Sequence, residues 1–286
     1  MPQIIGSYTL HTIETGRFRL DGGAMFGIIP KVLWERRLVP DARNRIALTM
    51  RCLLLEGDGR LILIDNGIGD KYDAKFQDIF AIDHSAHTLS GALGAAGFST
   101  ADVTDVILTH LHFDHAGGST RRRGDRLEPA FPNATYHVQR THLAWARQPN
   151  LREKASFLPG NIEPLAASGQ LNQVDGAGPL FPGIEVLLVN GHTEAQQMVK
   201  IAGPEGTLVF VADLLPTLHH VRGPWIMAFD VRPLVTLQEK TAFLDQALAG
   251  GWHLFFEHDP DVAVADLQQT ERGIAPVYPR SLDELF

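Results

Sequence analysis

Three histidines and one aspartate fall within the six residues His110–His115 of the stretch ILTHLHFDHAGG. They follow directly on the apolar run VTDVILT, which reads as a buried strand. Neutral imidazole nitrogen and carboxylate oxygen are the usual ligands of zinc and similar divalent ions. Ligands placed at a strand end and in the turn behind it project from a rigid support, as a metal site requires. His110 and His112, at alternate positions, lie on one side of an extended chain, and Asp114 and His115 begin the next turn. The two pairs could serve two metals about 3.5–4 Å apart. The AGG that follows supplies compact residues where the backbone must turn closely.

The rest of the chain must position that cluster. Strand-like runs recur along its length: IALTMRCLLLEG and RLILIDNG flank the turn GDG as a hairpin, and ATYHVQ, IEVLLVNG, QMVKIAG, TLVFVAD and WHLFFEH follow. Helical patterns lie between them in SAHTLSGALGAAG, THLAWARQ and PLVTLQEKTAFLDQALAGG, the last with Leu237, Phe243, Leu244 and Leu248 at helix-face spacing. Strands interleaved with helices imply an α/β class. The Pro/Gly-rich stretch 149–182 reads as irregular, and RRR at Arg121–Arg123 as a solvated loop.

Composition narrows the classes of function. A net charge of −8 argues against nucleic-acid or anionic-membrane partners. The single cysteine, Cys52, permits no intrachain disulfide and sits in an apolar run, as a buried small hydrophobe does. No apolar run approaches the roughly 20 residues of a membrane helix, and the N-terminus lacks a secretory pattern. A cytoplasmic protein without membrane or nucleic-acid contacts is expected.

HLHFDHAGG resembles the H-x-H-x-D-H signature of the metallo-β-lactamase superfamily. The resemblance implies a four-layer αββα sandwich over residues 1–286, one domain of two similar halves, with the site on the rim between two sheets. It also implies further ligands in order: a histidine after G, an aspartate ending a later strand, and a last histidine. LLVNGHT supplies His192, LVFVAD supplies Asp213 and LFFEHD supplies His258, each ending an apolar run. By resemblance, His110, His112 and His192 hold one metal. Asp114, His115 and His258 hold a second, Asp213 bridges them, and Asp65 in LILIDNG orients ligands from behind. The two divalent ions implied are zinc, with Mn, Fe and Co as alternatives.

The absence of cysteine from this set disfavours the β-lactamases that ligate metal through Cys. LDGGAMFGIIPKVLW (Leu20–Trp34), FPNATYHV, ADLLPT and PWIMAFDVRPL look like the quorum-quenching N-acyl homoserine lactonase branch and its relative methyl parathion hydrolase. The branch implies opening of a lactone ring by a metal-bridging hydroxide, with Asp114 passing a proton to the leaving oxygen. The alternative is phosphotriester or aryl ester hydrolysis at the same centre. It further implies that the loop at about 20–34 overhangs the site, with Met25, Phe26, Ile28 and Phe229 forming a wall for an apolar tail. Homodimers are an expectation of the same resemblance. Two departures stand out: GHTEAQQ replaces the branch's G-H-T-P-G-H, and Pro216 stands where those lactonases place a substrate-contacting tyrosine. Carbonyl polarisation must then come from the metal or another residue, for which His220 is the candidate.

Overall fold

The computed structural model describes residues 3–285. Two mixed sheets of seven strands each carry the chain. The first runs, in spatial order, Gln3–Ile5, Tyr8–Asp21, Arg45–Gly57, Arg60–Ile64, Asp105–Ile107, Thr135–Gln139 and Leu171–Val174. The second runs Gly178–Phe181, Ile184–Val189, Gln196–Gly203, Gly206–Phe210, His253–Phe255, Val264–Thr270 and Gly273–Arg280. The expected hairpin is present. Arg45–Gly57 pairs antiparallel with Arg60–Ile64, and Asp58 and Gly59 both take positive φ, 52° and 69°, as a tight two-residue turn demands.

Three apolar cores define the layers. Leu53, Leu55, Ile62, Ile64 and Ile107 of the first sheet meet Val199, Ile201, Leu208, Phe210 and Phe255 of the second. Outside the first sheet, Val106, Leu108 and Tyr136 pack against Leu93, Leu143, Ile162 and Leu165 of three helices. Outside the second, Phe243, Leu244 and Ala247 of the helix Pro233–Ala249 cover Val209, Val211 and Leu254. This is the metallo-β-lactamase fold, of α/β class, with helices on both outer faces. Cys52 is fully buried between strands, and no helix among the described residues is long and apolar enough to cross a membrane.

Several elements differ from the sequence reading. The strand before the motif stops at Ile107, and Asp114 and His115 sit in a one-turn helix, Phe113–Ala116. Part of the stretch expected to be irregular forms the helix Pro159–Ser168 despite an internal Pro164. Arg121–Arg123 belongs to a short hairpin strand rather than a plain loop. The segment 20–34 is not one loop but two short helices, Gly22–Phe26, capped by the Asp21 carboxylate on the Ala24 amide, and Lys31–Trp34. On the helix Pro233–Ala249, Leu237 and Leu248 are only half-buried, and the inward face carries Lys240, whose ammonium donates to the carbonyls of His220, Arg222 and Trp225.

Candidate metal centre and active-site cavity

The expected ligands converge from the C-terminal ends of strands in both sheets, the usual location of sites in such folds. His110, His112, Asp114 and His115 follow Asp105–Ile107; His192 follows Ile184–Val189; Asp213 follows Gly206–Phe210; His258 follows His253–Phe255. The backbone is shaped for this. Ala212, next to Asp213, has φ 44°, and Asp65 has φ 54°, a conformation costly for non-glycine residues and frequent at working sites. A Cβ on Gly118 would lie 2.2 Å from the Asn66 carbonyl oxygen, and one on Gly191 would lie 2.3 Å from the Thr236 amide, so both glycines are required by close approach.

Two donor groups form. His110 Nε2 and His192 Nε2 lie 3.1 and 3.2 Å from His112 Nδ1. His115 Nε2 and His258 Nε2 are 3.0 Å apart, with Asp114 Oδ2 at 4.0 and 3.7 Å from them. Asp213 stands between the groups. Its Oδ2 is 3.2 Å from His192 Nε2 and 3.5 Å from His115 Nε2, while Oδ1 is 3.4 Å from His258 Nε2. All seven residues are nearly or fully buried.

The outer nitrogens are held as well. His115 Nδ1 bonds to Asp65 Oδ2 at 3.0 Å, and Glu257 Oε2 lies 2.9 Å from the same nitrogen without an aligned hydrogen bond. His192 Nδ1 bonds to Asp230 Oδ1, His258 Nδ1 to the Thr49 carbonyl and His110 Nδ1 to the Thr109 hydroxyl. His112 Nε2 faces Glu153 Oε1 at 3.6 Å, an ion-pair distance rather than a hydrogen bond. Such contacts fix ring orientation and tautomer at a metal.

A divalent cation fits this donor set. Burial, reinforced by the neighbouring imidazoles, pushes His110 well below its ordinary pKa, so its neutral, ligating form prevails. Burial would raise Asp213, but the His115 and His192 charges outweigh it and hold the carboxyl far below the usual range, hence ionised. Imidazole nitrogens 3 Å apart cannot all donate to one another, and Asp213 Oδ1 is buried with no hydrogen-bond partner. Lone pairs and an orphaned carboxylate oxygen facing a common point are what a cation satisfies.

A cavity of about 380 Å³ opens onto the cluster. Its floor is His112, Asp114, His192, Asp213 and His258, and its walls include Leu20, Met25, Phe80, Phe113, Met227 and Phe229. Met25 and Phe229 are thus at the wall, as expected. Three expected substrate contacts are elsewhere. Phe26 is fully buried, stacked between Trp34 and the His220 ring. Ile28 is 89% exposed and points away from the cavity lining. His220 is buried with both ring nitrogens engaged, by Thr217 Oγ1 and the Met25 carbonyl, and reaches no cavity surface. For Phe26 and Ile28 the error has one source: apolar residues in a Gly-rich segment carry no period that says which way each points. Sequence reading also missed Glu153, Asp230 and Glu257. Only Glu257, beside His258 in an apolar run, had a local signal.

Comparison with known proteins settles the family. The metallo-beta-lactamase superfamily model matches residues 51–269, most of the chain, motif and later ligand positions included. The chain belongs to that superfamily. It is a metal-dependent hydrolase. A probable metallo-hydrolase of Mycobacterium bovis is 26% identical over 262 residues, covering 80% of this chain and 79% of its own. An N-acyl homoserine lactonase of Bacillus cereus is 26% identical over 211 residues, with 71% and 73% covered. Among solved structures, a probable metal-dependent hydrolase from Staphylococcus aureus superposes with TM-score 0.88 at 27% identity, covering 97% of this chain and 99% of its own. AidC, a dizinc quorum-quenching lactonase in complex with a product, superposes with TM-score 0.81 at 21% identity, covering 98% and 97%, and shares the fold.

Proposed function

We propose that this superfamily hydrolase opens the ring of N-acyl homoserine lactones at a centre of two divalent ions, with zinc the best match to the His/Asp donors. The observation that carries the reading is the pair of donor groups meeting at Asp213 on the floor of a cavity whose walls are apolar. The names of the Bacillus relatives support the same reaction class. Bound there, two such ions would supply an activated water at neutral pH and a Lewis acid for the carbonyl.

In this reading His110, His112 and His192 hold one ion, Asp114, His115 and His258 the other, and Asp213 both. Leu20, Met25, Phe80, Met227 and Phe229 receive the acyl chain and exclude water. The Asp114 carboxylate, exposed to the cavity floor, carries the proton that the departing ring oxygen takes up. With Pro216 in place of a tyrosine and His220 sealed behind Phe26, neither position offers the carbonyl a second donor.

The test is mass-spectrometric detection of ring opening of a long-chain N-acyl homoserine lactone by protein loaded with two equivalents of zinc, with His110→Ala as control. Product that disappears in the variant is the expected result. Absence of product with both ions bound would reject the lactonase reading and put phosphotriester and aryl ester substrates first.

Glu153 gives a further prediction. Burial alone would raise its carboxyl, but His112, Thr193 and Trp145 outweigh that and hold it down at about 2, so it stays ionised beside His112. Glu153→Ala is expected to weaken metal binding by roughly tenfold to a hundredfold. Competition with a chromophoric chelator measures this, and unchanged affinity would remove Glu153 from any role in orienting His112.

A further inference from the structure

A second cavity, of about 500 Å³, lies apart from the metal centre and shares no lining residue with it. Arg37, Arg222 and Arg272 line it together with His219 and Trp225. They reach it from three separate places: the turn after Lys31–Trp34, the end of the short helix Leu218–Val221, and the turn joining Val264–Thr270 to Gly273–Arg280. Among the described residues, no hydrogen bond or ion pair engages any of these three guanidinium groups. The Arg222 guanidinium lies 5.4 Å from the Trp225 ring centre.

Elsewhere, Arg43, Arg45, Arg60, Arg140 and Arg280 each have a carboxylate partner. Here the charges face one another instead: burial, then the Arg37 and Arg272 charges, lower the pKa of Arg222. Asp259 and Asp261 both act on His219, but neither is paired with any of the three guanidinium groups, and the Asp259 oxygens accept from the amides of Leu218, Asp261 and Val262. Like charges brought together from three elements repel one another, and a bound anion relieves that more fully than solvent alone; guanidinium forks match the oxygens of phosphate. The groove is larger than a bare phosphate needs, and Ile274, Ala275 and Pro276 give its far side an apolar surface.

We propose that this groove binds a small soluble phosphomonoester, its phosphate held by Arg37, Arg222 and Arg272 and its organic part lying against Ile274, Ala275 and Pro276. The site is independent of the lactonase reading.

The test is calorimetric titration of the metal-loaded protein with phenyl phosphate and with inorganic phosphate. The same titrations are made on the triple variant Arg37→Gln, Arg222→Gln, Arg272→Gln. All three side chains are exposed, so the fold should persist, and matched circular dichroism and metal content check it. Any binding at the metal centre is common to both proteins. The wild type should show an additional site for phenyl phosphate, tighter than for inorganic phosphate, weakened by roughly tenfold or more in the variant and by added salt. Identical isotherms for the two proteins would overturn the proposal. So would arginine-dependent co-sedimentation with phosphatidylglycerol vesicles in the absence of phenyl phosphate binding, which would assign the patch to a lipid surface.

Discussion

Asp213→Asn is expected to cost about a thousandfold or more in turnover and to lower the amount of metal bound. The substitution is nearly isosteric, so packing around Val211 and Leu214 should survive, and the loss should be chemical. Among the described residues, Asp213 is the only carboxylate within 4 Å of ring nitrogens from both donor groups. An amide in its place presents one weak acceptor and one pair of donors, and the donors would point at imidazole nitrogens needed for a cation. The measurements are elemental analysis of the purified variant and turnover of the best substrate. Wild-type metal content with turnover within tenfold of wild type would show that the centre does not depend on a shared carboxylate.

The second large effect lies outside the cavity. Arg51 stands in the middle of an apolar strand and is only 5% exposed. It donates to Glu14 Oε1 at 2.6 Å and to the carbonyls of Phe256, Asp259 and Val262 at 2.9–3.0 Å. Thr49, two residues earlier, shares its one hydroxyl proton between the carbonyls of Glu257 and Asp259, and its own carbonyl accepts from His258 Nδ1. The segment bearing His258 is thus tied to the first sheet by these side chains together with the backbone bonds of the Thr49 and Arg51 amides to the His258 and Glu257 carbonyls. Arg51→Met would leave the Phe256 and Val262 carbonyls and a partly buried carboxylate unpartnered, at a cost of roughly 3 kcal/mol or more. Thermal unfolding should show a midpoint lower by about 6 °C or more. A change below about 0.5 kcal/mol, the level of an ordinary surface substitution, would show that water replaces the guanidinium without loss.

The two halves of the site differed in legibility, and the difference is physical. His110–His115 announce themselves because no ordinary strand-to-turn junction needs four coordinating side chains. His192, Asp213 and His258 were readable because each ends an apolar run, and those runs are the strands that hold them. Of the groups behind them, Asp65 was readable as an aspartate ending an apolar run, and most of the others were not. Glu153 and Asp230 come from irregular segments, where a lone carboxylate has no spacing to mark it. Arg51 did carry a signal, a charge inside LTMRCLLLE, but a sequence does not say which carbonyls it meets. The cavity wall failed for the opposite reason. Phe26 and Ile28 are equally apolar two residues apart, yet one is sealed in the core and the other faces solvent.

The placement of the ligands also bears on how the protein is made. During synthesis the residues from His110 to His115 leave the ribosome long before the strand His253–Phe255 that carries His258 to them. The first sheet can be translated in full, and its motif can meet metal, while the other side of the donor set does not yet exist. An ion captured at that stage would meet an incomplete donor set. The full set forms only at the end of translation, when the second sheet docks, and a chain terminated before His258 would have the motif without the centre.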